Sequence, residues 1–279
     1  MKKIETSILP VMMPRRIRPT NKFRLKAWHG IILVMLAIVT TVPAFAAEEP
    51  ARASILDVLF RWMPLLLEGF VFNVIISIIA MAIGTITGAA LGLGQISLNG
   101  SVRKFAWITT QFFRNAPWLV LLFFAMFLLP FEIRIGDFTI PLPDWVKAII
   151  GLSLPVMANV SEIVRGGVSS LPSGQWEAAE SLAFSRTQVL WRIILPQCVK
   201  RMLPPWMNLY SILTMATVLA SIVGVSEMMT LTGQALAAEG GRSDLLMPFY
   251  SFVLLMFFIY CYPIARWTVR LEKKFAVIN

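Results

Sequence analysis

Residues 69–102 read GFVFNVIISIIAMAIGTITGAALGLGQISLNGSV, 34 positions without one Asp, Glu, Lys or Arg. About 20 apolar residues in a helix cross about 30 Å of hydrocarbon, so this stretch alone is long enough to span a bilayer. Working outward, five more charge-free windows occur at 27–47, 115–131, 148–161, 202–226 and 245–265, with 21, 17, 14, 25 and 21 residues. The shortest becomes a span over 145–164 if Lys147 and Glu162 lie at the two interfaces. Of 279 residues, 57% are hydrophobic and 14% charged, and mean hydropathy is +0.74. Soluble domains average about 45–50% apolar and about 25% charged. The expected fold is all-α: a polytopic membrane helix bundle of five core transmembrane helices, preceded by an N-terminal signal anchor or signal peptide.

The charges that remain orient the chain. With a cytoplasmic amino terminus and one crossing per window, 20 of the 25 Lys and Arg fall in 1–26, 103–114, 165–201 and 266–279. Cytoplasmic loops are the basic ones, so these segments are inside. The net charge of +10 thus holds loops on the anionic inner leaflet, and membrane lipid rather than nucleic acid is the implied partner. The basic tail 1–26 precedes an apolar stretch and the run Ala44-Phe45-Ala46-Ala47. Segment 27–47 therefore reads as a cleavable signal peptide or as an uncleaved anchor, and both leave the same downstream orientation. Segment 48–66 reads as a periplasmic linker and 67–274 as the membrane domain, with a cytoplasmic loop at 165–201.

Composition excludes several chemistries. His29 is the single histidine, so a His-based metal cluster or a Ser–His triad in the core is excluded. No G-x-x-x-x-G-K-[ST] occurs, so this sequence carries no phosphate-cradling loop. No window holds a charge near its middle, which argues against an ion-driven carrier or channel, the alternative class. Cys198 and Cys261, placed in a loop and a span, make no disulfide framework. Ala80, Gly84, Gly88 and Gly92 form a ladder of small residues that would let a neighbouring helix approach closely. Trp62, Trp107, Trp118, Trp145, Trp206 and Trp267 fall near expected interfaces. Asn73, Asn159, Ser161, Asn208, Tyr210, Thr214 and Thr217 are the polar groups in or near spans, suited to interhelical hydrogen bonds.

The loop 165–201 is the most informative element. After the turn Leu171-Pro172-Ser173-Gly174, Ser173 is placed to cap a helix with Glu177 in its first turn. A second helical run from Thr187 ends at Pro196. The expected product is a short, alanine-flanked helix on the cytoplasmic face, shaped to enter a groove on another protein.

Glu177-Ala178-Ala179, followed by Ile193-x-Leu195-Pro196, resembles the EAA loop of ABC importer permeases. The segments FRNAPWLVLLFF (113–124), EIVRGG (162–167), LPSGQWEAA (171–179), ILPQ (194–197), LPP (203–205) and IVGV (222–225) are similar, in order, to the polar amino-acid (histidine/glutamine-type) permease family. The resemblance implies a non-catalytic translocation subunit of the bacterial inner membrane that binds no cofactor. Residues Glu177, Ala178, Ala179, Ala183, Ile193, Leu195 and Pro196 would couple it to a cytoplasmic ABC ATPase subunit, where ATP is used. A second permease chain, in a homo- or heterodimer, and a periplasmic solute-binding protein would complete the system.

Three departures from the family pattern stand out. Ala183 occupies the motif's usual glycine, which implies either a right-handed conformation or mild strain there. Pro155-Val156-Met157-Ala158-Asn159 and Met215-Ala216-Thr217-Val218-Leu219 replace more polar family segments. A substrate path through Asn159, Ser161, Thr214, Met215 and Thr217 is therefore expected to be more apolar than usual.

Overall fold

The structure, a computed structural model, describes residues 53–135 and 138–275. The basic tail, the anchor or signal segment and His29 lie outside the described residues. The helices are α1 (Ile55–Gln95), α2 (Gly100–Asn115), α3 (Trp118–Leu128), α4 (Asp144–Ser169), α5 (Gly174–Ser181), α6 (Arg186–Val189), α7 (Leu195–Ala216), α8 (Met228–Ala238) and α9 (Ser243–Phe275). A π-helical turn, Leu190–Ile194, joins α6 to α7, and a 3-10 helix, Thr217–Val223, extends α7. Four helical segments among the described residues are long and apolar enough to cross a membrane, and the bent pair α2–α3 makes a fifth if counted as one span.

Helix α1 begins at Ile55, inside the segment read as a linker. Val58, Leu59 and Leu66 are buried against Met228, Leu236 and Phe249, which gives this stretch a helical face to bury while its charges stay outward. The window 115–131 is broken. Pro117 forces Ala116 out of the helical region (φ −77°, ψ 137°), and α2 and α3 meet at 106°. The 11 residues of α3 reach only about 16 Å, short of a full crossing by themselves.

The small-residue ladder packs α1 on α4. A Cβ on Gly84 would lie 2.4 Å from Val156 Cγ1, on Gly88 2.5 Å from the Met157 carbonyl, and on Gly92 2.7 Å from Val164 Cβ. At these positions only the missing side chain permits the contact, and α1 with α4 forms the most extensive helix pair.

One strand pair was unanticipated. Strands β1 (Glu132–Ile135) and β2 (Phe138–Pro141) pair antiparallel, Ile133 opposite Ile140 and Arg134 opposite Thr139. The alternation around Gly136-Asp137 carries that signal, since Gly-Asp between alternating apolar residues reads as a hairpin.

Pro196 does not end a helix. It sits in the first turn of α7, where a missing N–H costs little, and the π turn just before it re-spaces the carbonyls its ring would meet. Cys198, expected in a loop, is therefore helical, and both cysteines are free and buried.

Candidate functional site

At the end of the bundle where α4 leads into α7, α5 presents the E-A-A residues in two directions. Ala179 is 4% exposed and packs with Val168, Leu171, Val189, Ile194 and Cys198, while Glu177 and Ala178 face outward. Ile193 and Leu195 pack against the same cluster, and Pro196 is exposed. Near this knob along the chain Leu182, Phe184 and Trp191 are left 73, 36 and 58% exposed, apolar surface that the motif alone does not reveal. Two side-chain contacts hold the knob in place. Gln175 Nε2 donates to Gln197 Oε1 of α7 (3.1 Å), and the Arg186 guanidinium lies 4.9 Å from the Trp176 ring centre.

Ser173 makes no capping bond, because its own backbone is already helical (φ −60°, ψ −29°). The cap forms one helix later, where the Ser185 hydroxyl accepts from Gln188 N and the Gln188 side chain accepts from Ser185 N. Ala183 adopts φ +59°, the single positive φ outside glycine among the described residues. Its N–H donates to Glu180 O (2.9 Å), and that of Phe184 to Ala179 O (3.2 Å). This is the Schellman ending of a helix, with alanine where glycine is usual, so the left-handed, strained alternative holds.

Between α4 and α7 a cleft of about 550 Å³ opens, lined by Asn159, Glu162, Arg114, Arg201, Asn208 and Ile212 among others. Of the expected path residues, Asn159 lies in this wall, its amide donating to Pro155 O (2.8 Å). Met215 is 51% exposed, three residues beyond Ile212 and so on the same flank of α7. The other three are fully buried. Ser161 bonds Gln95 Nε2 (2.8 Å) and Thr110 (3.0 Å), Thr214 donates to Tyr210 O, and Thr217 donates to Thr214 O. At the cleft's inner rim, Glu162 pairs with Arg165 (2.7 Å) and Arg114 (3.4 Å) and accepts from Gln95. The E-I-V-R-G-G stretch thereby ties α1, α2 and α4 together.

Two charges expected outside or at interfaces are fully buried instead. Lys147 has its ammonium 3.6 Å from the Phe131 ring centre and 3.6 Å from Asp144 Oδ1. Glu227 caps α8, accepting from Thr230 N (3.0 Å) and from Asn73 Nδ2 (2.8 Å). Asn73 reaches this carboxylate from α1, which explains a buried polar group that the sequence showed without its partner.

Residues 84–277 match the family described as binding-protein-dependent transport system inner membrane component. The probable amino-acid ABC transporter permease protein YckA of Bacillus subtilis (strain 168) is 35% identical over 213 residues, covering 76% of this chain and 90% of that relative. The L-cystine transport system permease protein TcyB of the same organism is 30% identical over 214 residues, covering 76% and 86%. A chain from the crystal structure of an amino acid ABC transporter with histidines superposes with a TM-score of 0.67 at 20% identity, covering 80% of this chain and 100% of that one, a likeness of fold.

Proposed function

Because this chain belongs to the family of binding-protein-dependent transport system inner membrane components, we propose that it is the permease subunit of an ATP-driven importer for an amino acid or amino-acid-like solute. The names of its relatives support the solute class. The observation that carries the coupling reading is the knob on α5, with Glu177 and Ala178 outward, Ala179 anchored, and Leu182, Phe184 and Trp191 near it along the chain unburied. A cytoplasmic ATPase subunit would seat this knob and hydrolyse ATP, and this chain would need no cofactor of its own. A second permease chain would close the cleft between α4 and α7 into a pathway, fed from outside by a solute-binding protein.

Glu227 is the observation that would favour an ion-coupled carrier, since buried acids in membrane proteins mark ion paths. Its carboxylate is instead committed to a helix amino terminus and to Asn73, a structural use of a buried acid.

Co-purification tests the assignment. Wild-type chain should retain an ATPase subunit, and Trp191→Glu, which replaces an exposed apolar side chain beside the knob with a charge, should lose it. Retention unaffected by that change would remove the knob from the interface.

A further inference from the structure

On the opposite side of α7 from the cleft lies a second depression, of about 400 Å³, between α1, α7 and α9. At 3.6 residues per turn, Asn208, Leu209 and Ile212 face one way, and Trp206, Met207 and Tyr210 the other. The depression is walled by Met81 and Ala82 from α1, Trp206 and Tyr210 from α7, and Ile264 and Trp267 from α9, and exposes no polar surface. Its polar atoms are turned away and paired. Trp206 Nε1 donates to Thr85 (2.9 Å), and the Tyr210 hydroxyl bonds those of Tyr260 (2.7 Å) and Ser77 (3.3 Å).

The three helices are among those long and apolar enough to cross the membrane. Toward the cytoplasmic end of α9, Arg270 and Lys274 follow Trp267 by three and seven residues, about 4.5 and 10 Å along the axis. On α7, Lys200 precedes Trp206 by six residues, about 9 Å. All three cations are exposed. A dry slot within the hydrocarbon layer, continued by cations at the inner headgroup level, matches an amphiphile with an apolar tail and an anionic head.

We propose that this groove binds one acyl chain of an anionic phospholipid from the inner leaflet, with its phosphate held by Arg270, Lys274 and Lys200. Native mass spectrometry of the full-length chain, released from vesicles of phosphatidylcholine mixed equally with phosphatidylglycerol, tests it. Wild type should retain one phosphatidylglycerol in preference to phosphatidylcholine. Ala82 is exposed, so Ala82→Phe fills the groove without entering the core and should lose the bound lipid, whereas Ala82→Ser should keep it. Arg270→Gln with Lys274→Gln should weaken the preference for phosphatidylglycerol by about thirtyfold. Unselective retention by wild type, or retention unchanged by Ala82→Phe, would overturn the proposal. So would efficient cross-linking of Ala82→Cys to a second copy of the chain, which would make this face a protein interface.

Discussion

Asn73 on α1 and Glu227 at the start of α8, 154 positions apart, are joined by a 2.8 Å hydrogen bond from the Asn73 amide to the buried carboxylate. The same asparagine donates to Thr217 Oγ1 (2.9 Å) and accepts from Met228 N (3.1 Å). One side chain therefore fixes α1 against both the start of the α7 extension, where α7 ends, and the beginning of α8. Asn73→Ala leaves a buried carboxylate short of a donor and should cost about 3 kcal/mol. Glu227→Gln, neutral and of the same shape, should cost less. Thermal melting of the purified variants in detergent orders them, and equal melting points would remove the clamp.

Gly88 has no room for a methyl group, since a Cβ would lie 2.5 Å from the Met157 carbonyl and 2.7 Å from Val160 Cβ. Gly88→Ala should destabilise by about 1–3 kcal/mol through overpacking of a backbone contact. Gly233, in α8 with nothing within 4 Å of its added Cβ, provides the contrast: Gly233→Ala should stabilise by about 0.5–1 kcal/mol by helix propensity. The opposite signs are readable in the same melting experiment.

Ala183 holds a left-handed conformation that costs an L-residue about 1–2 kcal/mol. Ala183→Val, with a branched Cβ at that φ, should loosen the turn and speed amide exchange across 177–189. Ala183→Gly should exchange no faster than wild type. Faster exchange in the glycine variant would mean that the alanine is not strained.

Asn159 lies in the wall of the cleft, whereas Thr214 is buried with its hydroxyl bonded to the Tyr210 carbonyl. Asn159→Leu should reduce solute uptake while leaving ATPase binding intact. Thr214→Val should change stability and leave uptake per folded molecule unaltered. The reverse pattern in a whole-cell uptake assay would move the path away from this cleft.

The features legible in the sequence were those with short-range signatures. Charge-free windows located the spans, and the four-residue spacing of Gly84, Gly88 and Gly92 located the tight face of α1, because both are properties of one helix. The knob on α5 was legible as a motif, but its exposed neighbours Leu182, Phe184 and Trp191 were not, since their exposure depends on how α6 folds back. Glu227 read as an outside charge because its partner Asn73 lies on another helix, and a pairing across 154 positions leaves no local trace. Pro196 read as a stop because the compensating π turn is a tertiary adjustment. The local signal for the break in the 115–131 window is Pro117, whose ring keeps Ala116 out of the helical region.

The measurement that bears most directly on the account is ATP-dependent uptake into proteoliposomes containing this chain, its ATPase subunit and its solute-binding protein. Glu177 is exposed on the anchored knob, so Glu177→Lys should lower the uptake supported per ATP hydrolysed by about tenfold or more, within the usual range of coupling energies, while the chain melts as wild type does. Uptake that continues without ATP, or that Glu177→Lys leaves unchanged, would contradict the assignment of this helix as the coupling element.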